Sequence, residues 1–198
     1  MAKDLTKNPV ELLVIGGSAG GLEVIIKAFP DLPDTLPFAI IIVLHRKQNT
    51  DNAIVDLLAA KTKHPVIEAN EKETLKIGTI YIAPSDYHLL IEKDRTLSLD
   101  YSEKVNFLRP CIDLTFQTAA EAYQSSLAVL LLSGASADGV EGMELVKTLR
   151  GIIAVQDPKS AKVSYMPQKA LDKMSVDYIV KSDQISDFVR FLADLRAT

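Results

Sequence analysis

The chain has 198 residues, with 22 Lys and Arg against 26 Asp and Glu, a formal net charge of −4 and 47% hydrophobic residues. That length suits one domain burying roughly 70% of its unfolded surface, and the ordinary composition excludes a disordered, collagenous or coiled-coil chain. The single cysteine, Cys111, excludes an intramolecular disulfide and a cysteine zinc cluster, and the acidic total argues against a general phosphate-backbone binder.

Short apolar runs rich in β-branched residues alternate with helical patterns, the mark of a parallel sheet covered on both faces. Residues 11–15 (ELLVI) read as a first strand that meets the glycine cluster GGSAGG at 16–21, and 22–29 read as helix. Residues 38–44 (FAIIIVL) form a central strand, followed by an amphipathic helix over 51–61 with Asp51 near its N-cap. From 65 to 101 the pieces VIEA, TIYIAP, HLLIEK and TLSLD are shorter and alternating, which predicts a β-hairpin-like insertion. Pro110 can open a helix to about residue 123. Residues 126–132 (SLAVLLL) are a buried strand ending in SGASADG, and 140–149 read as helix stopped by Gly151. The strand IIAVQD, a short helix after Met166-Pro167, a strand near DYIVK and a helix from about Ile185 complete the chain. The expected fold is α/β: a doubly wound, mostly parallel sheet with helices on both faces, as one domain over 1–198. The longest apolar run, seven residues at 38–44, is far short of the roughly 20 that span a bilayer. The N-terminus carries Lys3, Asp4 and Lys7 and no signal-peptide core, so a cytoplasmic location is expected, with no membrane insertion.

In open α/β sheets functional residues gather in loops beyond the C-terminal strand ends. Three such loops hold polar residues directly after apolar strands: Ser18 in VIGGSAGG, His45 in IIIVLH and Asp138 in LLSGASADG. Brought to one crevice, they offer a nucleophile, a general base and a group that fixes the imidazole tautomer. The glycines around Ser18 permit a sharp strand-to-helix turn, and the helix near Leu22 aims its positive end at a developing oxyanion. Each residue also has a plainer reading: a tight turn for Ser18, a hydrogen-bonded half-buried ring for His45, and a helix N-cap for Asp138. A dinucleotide fingerprint from Gly16 needs glycine where Ser18 stands; from Gly17 it fails at Ala19, and no Gly-Lys-Ser/Thr follows. His64, His88 and Cys111 carry no supporting motif and read as structural or solvated residues.

The motifs GGSAGG, VLHR, GTIYIAPSDYHL, LRPCIDLTF, LLLSGASADGVEGM and AVQDPKSAKVSYMPQKAL, in that order over roughly residues 11–195, resemble the catalytic domain of the chemotaxis protein-glutamate methylesterase (CheB-type) family. The resemblance implies a catalytic triad of Ser18, His45 and Asp138. It also implies hydrolysis of glutamate γ-methyl esters on the cytoplasmic helices of chemoreceptors with release of methanol, and deamidation of glutamine. No metal or cofactor is implied, and no nucleic acid. Backbone amides near Ala19 and Ala135 are the candidate oxyanion hole, and Arg46, Lys47 and Met166 line the candidate substrate approach. Departures fall at Ala19 in place of threonine, at Arg46-Lys47 in place of Met-Pro and at Ala135 in place of methionine. They bear on the pocket wall more than on the reaction. Arg46 and Lys47 beside His45 are expected to meet a Glu-rich helix. Typical members carry a regulatory receiver domain ahead of the catalytic one, and only about ten residues precede the first strand here. Either the esterase is controlled otherwise, with a receiver or methyltransferase partner acting in trans, or the sequence belongs to a longer chain. The rival from another class is a signalling module of the same fold that binds partner helices without turnover.

Overall fold

A computed structural model of the protein describes residues 8–46 and 53–195. In chain order the strands are β1 (Leu12–Gly17), β2 (Ala39–Leu44), β3 (Val66–Glu68), β4 (Ile80–Ile82), β5 (His88–Ile91), β6 (Leu97–Asp100), β7 (Leu127–Leu131), β8 (Ile152–Gln156) and β9 (Tyr178–Val180). The helices are α1 (Gly21–Ala28), α2 (Ala53–Ala59), α3 (Ile112–Tyr123), α4 (Val140–Thr148), α5 (Tyr165–Lys173) and α6 (Ile185–Asp194). Seven strands form one parallel sheet in the order β3-β4-β2-β1-β7-β8-β9.

Every residue of β1 and β2 is buried, as the unbroken apolar runs require of strands covered on both faces. Strand periodicity divides them between two cores. Leu13, Ile15, Ile40 and Ile42 pack with Ile25 of α1, Leu58 of α2 and Phe188 of α6. Leu12, Val14, Ile41 and Val43 pack with Phe116 of α3, Met143 of α4 and Met166 of α5. Each such side chain, fully buried, contributes about 1.5–3 kcal/mol. β1 lies between β2 and β7, so the chain winds outward from it in both directions and opens a crevice beyond the C-terminal strand ends.

Two local departures have simple causes. The segment around 65–101 is a hairpin only over β5 and β6, where His88 faces Asp100 and Ile91 faces Leu97. β3 and β4 are instead parallel strands of the main sheet, β4 lying between β3 and β2. Three-residue strands carry too short a pattern to separate a sheet edge from a hairpin. The fifth helix begins at Tyr165, with Pro167 inside its first turn, where a missing N–H removes no intrahelical bond. Asp51 and Lys47 lie outside the described residues. Among the described residues no helix is long and apolar enough to cross a membrane.

Candidate active site

The parallel register fixes where the candidate residues emerge. Gly17 pairs with Leu44 at the ends of β1 and β2, so Ser18 and His45 leave adjacent strands side by side, about 5 Å being the strand spacing. The His45 N–H donates to the Gly17 carbonyl at 3.1 Å, and the Ser18 N–H to the Ser133 carbonyl at 2.9 Å. The loop after β7 is thereby tied to the serine turn, and it brings Asp138 to the same crevice.

Asp138 is 6% exposed and its carboxylate is saturated. Oδ2 lies 2.7 Å from His45 Nε2 and accepts the Ile112 N–H at 2.7 Å, while Oδ1 accepts the Asp113 N–H at 2.9 Å and the Cys111 thiol at 3.2 Å. Helix α3 has no cap of its own, since Cys111 at its N-cap makes no side-chain capping bond, so a carboxylate from another loop satisfies its first amides. Burial is the strongest influence on Asp138 and opposes its ionisation. The hydrogen bond from His45 and those from the Ile112 and Asp113 amides outweigh it and hold the carboxyl down at about 2. Against an ionised carboxylate, Nε2 is the ring nitrogen that bears hydrogen, which leaves the Nδ1 lone pair for a proton from serine. No hydrogen bond joins the Ser18 hydroxyl to the ring among the described residues.

Asp113, three residues below Pro110 in the chain, completes the arrangement from behind. Its Oδ1 accepts the Gly142 N–H at 2.8 Å, locking the start of α3 to the first turn of α4. Burial, then the charge of Asp138, push its carboxyl up to about 7 against that hydrogen bond. Burial and the same charge push the Cys111 thiol well above its ordinary value, so it is the neutral S–H that donates. Cys111, Asp113 and Asp138 offer ligand atoms within 4.8 Å of one another, but a neutral thiol and a carboxylate saturated by N–H donors form a hydrogen-bond network rather than a ligand set. His88, fully buried, accepts the Cys111 N–H at 3.2 Å through Nδ1 and lies 3.1 Å from the Glu103 carbonyl through Nε2, which makes it a structural residue.

The serine turn is shaped by two glycines. Gly20 has φ +86°, and a Cβ there would come 2.8 Å from both Lys162 Cβ and Ser133 Oγ. A Cβ on Gly134 would strike the Met166 thioether at 2.6–2.7 Å and come 3.0 Å from Ser18 Cβ. Met166 is therefore a buried support beneath the serine, not a surface a substrate touches first. The Ser133 hydroxyl donates to the Ala19 carbonyl at 2.7 Å and accepts the Val163 N–H at 2.9 Å, pinning the turn from below. Ala19 and Ala135 are exposed, and among the described residues no acceptor is bonded to either N–H, whereas the Gly134 N–H is committed to the Val163 carbonyl at 3.1 Å. Arg46 departs from expectation. Its guanidinium donates to the Ala83 carbonyl at 3.0 Å and pairs with Glu68 at 3.3 Å, with its side chain 15% exposed, so it braces the loop after β4 instead of standing free beside His45. Asp113 and Ser133 are the residues that sequence reading missed. No local pattern marks the first, whose bond to the Gly142 N–H exists only because α3 packs on α4.

The fold and this cluster define a doubly wound α/β protein with a serine, a histidine and an aspartate gathered at its topological switch point. The chain belongs to the CheB methylesterase family, which it matches over residues 13–189. It is 41% identical over 181 residues to a putative protein-glutamate methylesterase/protein-glutamine glutaminase of Leptospira interrogans, covering 91% of this chain and 94% of that one. A protein-glutamate methylesterase/protein-glutamine glutaminase of Thermotoga maritima is 31% identical over 180 residues, 89% of this chain and 52% of that one. The chain thus spans about half the length of that relative. The crystal structure of the Thermotoga maritima CheB methylesterase catalytic domain superposes with a TM-score of 0.87, covering 92% of this chain and 98% of that one at 31% identity.

Proposed function

We propose that this chain is one catalytic unit, a serine esterase that hydrolyses glutamate γ-methyl esters on the helices of chemoreceptor-like signalling proteins in the cytoplasm and deamidates glutamine at such sites. The observation that carries the proposal is the 2.7 Å contact between His45 Nε2 and Asp138 Oδ2 at the strand end next to Ser18.

Ser18 Oγ attacks the ester carbonyl carbon while His45 Nδ1 takes its proton, and Asp138 stabilises the resulting imidazolium. The negative charge that develops on the carbonyl oxygen is received by the Ala19 and Ala135 amides, an arrangement their unengaged N–H groups support. The bond to the methoxy oxygen then breaks, His45 returns the proton to that oxygen, and methanol leaves a Ser18 acyl-enzyme. Water attacks the acyl carbon, giving its proton to His45. The bond to Oγ breaks, Ser18 recovers the proton, and a glutamate carboxylate is released. With a glutamine substrate the same steps release ammonia. Control falls to a receiver or methyltransferase partner acting in trans or joined to the same chain.

Methanol release from a methylated receptor fragment tests this reading, with Ser18→Ala expected to lower the rate by about four orders of magnitude or more. Equal rates would sink it. The missing Ser18–His45 hydrogen bond favours a second reading, a helix-binding module without turnover. Labelling of Ser18 by a fluorophosphonate would count strongly against that alternative, since the reagent requires an activated hydroxyl.

A further inference from the structure

The loop leading into α3 holds two features that stability alone does not explain. The Val105 and Leu108 backbones exchange hydrogen bonds at 3.2 and 2.9 Å around a two-residue turn in which Asn106 has φ +50° and Phe107 φ +67°. Such a turn needs left-handed backbone at both central positions, which Asn tolerates and Gly favours, whereas a bulky aromatic is strained there. Phe107 is also 95% exposed, the most exposed large apolar side chain among the described residues. Glycine at this position would relieve both penalties, so their retention points to work done outside the folded chain.

The loop presents that ring from a rigid base. The Arg109 guanidinium donates to Asp86 Oδ1 at 2.7 and 3.2 Å and to the Tyr101 and Ser102 carbonyls at 3.1 and 2.6 Å. It also stacks on the Tyr101 ring at 4.0 Å, and Tyr101 packs against Tyr87 at 5.4 Å. A loop backbone already fixed loses little freedom on binding, and aromatic and arginine side chains dominate interface anchors. The loop lies at the crevice end of the sheet: Asp86, which Arg109 binds, follows β4, and five residues beyond Phe107 the Ile112 N–H binds Asp138. A five-residue span is at most about 17 Å, or about eleven residues of helix.

We propose that Phe107, on the loop that Arg109 ties to Asp86 and Tyr101, is the anchor with which the crevice grips an amphipathic helix of the protein substrate. The ring seats between apolar residues of that helix at i and i+3 or i+4, within about three turns of the reacting glutamate. The identity of the occupant rests on the esterase reading above. Glu103 and Lys104, both exposed beside the turn, carry opposite charges, which suits a protein helix better than an anionic lipid surface.

The test compares the wild type with Phe107→Gly and with Ile179→Asn, a control at an exposed apolar residue on the outermost strand. Methanol release from a methylated receptor helical fragment is measured against hydrolysis of p-nitrophenyl acetate. Binding of the labelled fragment is measured separately in a Ser18→Ala background, and thermal midpoint throughout. Phe107→Gly is expected to lower the ratio of fragment to small-ester kcat/KM by about tenfold, through KM, and to weaken fragment binding equally, with an unchanged or higher midpoint. Ile179→Asn leaves the ratio alone. An unchanged ratio and affinity, a parallel loss on both substrates with a lowered midpoint, or a change in oligomeric state on removing Phe107 would each overturn the proposal. If the wild type shows no Ser18-dependent hydrolysis, the esterase reading fails while the binding arm still decides the anchor: Phe107-dependent affinity upholds it, and a wild type that does not bind the fragment overturns it.

Discussion

The two ends of the central sheet differ in a way that separates space from chemistry. At the N-terminal ends of β1 and β2 lies a cavity of about 940 Å³ whose lining includes Leu36, Ile77, Arg95, Tyr123 and Arg190. Its cations are engaged: Arg95 pairs with Glu11 at 3.0 Å and stacks on Tyr123 at 4.5 Å, and Arg190 donates to the Asp31 carbonyl at 3.0 Å. The opposite end holds the ionised carboxylate, the imidazole bound to it and the Ala19 and Ala135 amides, which no acceptor among the described residues engages. In a parallel sheet all the loops that follow strands emerge at one end, so three loops from distant parts of the sequence meet there. Cavity volume carries no such requirement.

The largest expected effect comes from Asp138→Asn. The amide keeps the shape but has one acceptor oxygen where the carboxylate has two, so its NH₂ must face either the imidazole and the Ile112 N–H or the Asp113 N–H and the Cys111 thiol. Ester hydrolysis is expected to fall about 10³- to 10⁴-fold, and unfolding free energy by about 1–3 kcal/mol, because buried donors lose their acceptor. Turnover assays and urea denaturation check both. A variant within tenfold of wild-type activity would erase the distinction between the two ends.

Much of this distinction was already legible in the chain. Runs such as AIIIVL announce strands buried on both faces, and a polar residue directly after such a run must appear at a C-terminal strand end, which is how Ser18 and His45 stood out. What hid was everything decided by partners remote in sequence. The engagement of Arg46 depends on Glu68 and Ala83 reaching it through β3 and β4, whose three-residue length gives no periodic signal of parallel pairing. Asp113 resembled an ordinary first-turn acid. Its bond to Gly142 follows only once α3 and α4 are packed together.

A subtler effect is expected at Asp113, which shares the start of α3 with Asp138 yet is shifted the opposite way. Asp138, held at about 2, contributes stability that is fully present above the unfolded carboxyl pKa near 4 and lost as pH falls through 2. Asp113, pushed up to about 7, keeps in the folded state a proton that the unfolded chain releases, so stability declines as pH rises from about 4 to 7. The decline is at most about 1.4 kcal/mol per pH unit. In Asp113→Asn, whose side-chain oxygen can still accept the Gly142 N–H, urea midpoints should vary less between pH 5 and 8 than in the wild type. Identical pH slopes would show that Asp113 ionises normally and that the two carboxylates are not driven apart.

The smallest effect is expected at the other end of the sheet, from Arg95→Ala. The change deletes an ion pair whose side chains are 46% and 47% exposed and a cation–π contact with Tyr123. Exposed pairs contribute about 0–1 kcal/mol and exposed cation–π contacts about 0.5–1 kcal/mol, so the loss should stay within about 2 kcal/mol. Alanine retains a Cβ at the same φ of +69°, so the backbone contribution hardly changes. Ester hydrolysis by the folded variant should remain within about twofold of wild type, because the groups bonded around His45 and Asp138 come from the strand-end loops and the start of α3, none of which touches Arg95 through a hydrogen bond. Paired denaturation and turnover measurements separate the two readouts. A fall in turnover out of proportion to the fall in stability would mean that the cavity end communicates with the crevice through β1 and α3, the elements that reach both ends of the sheet.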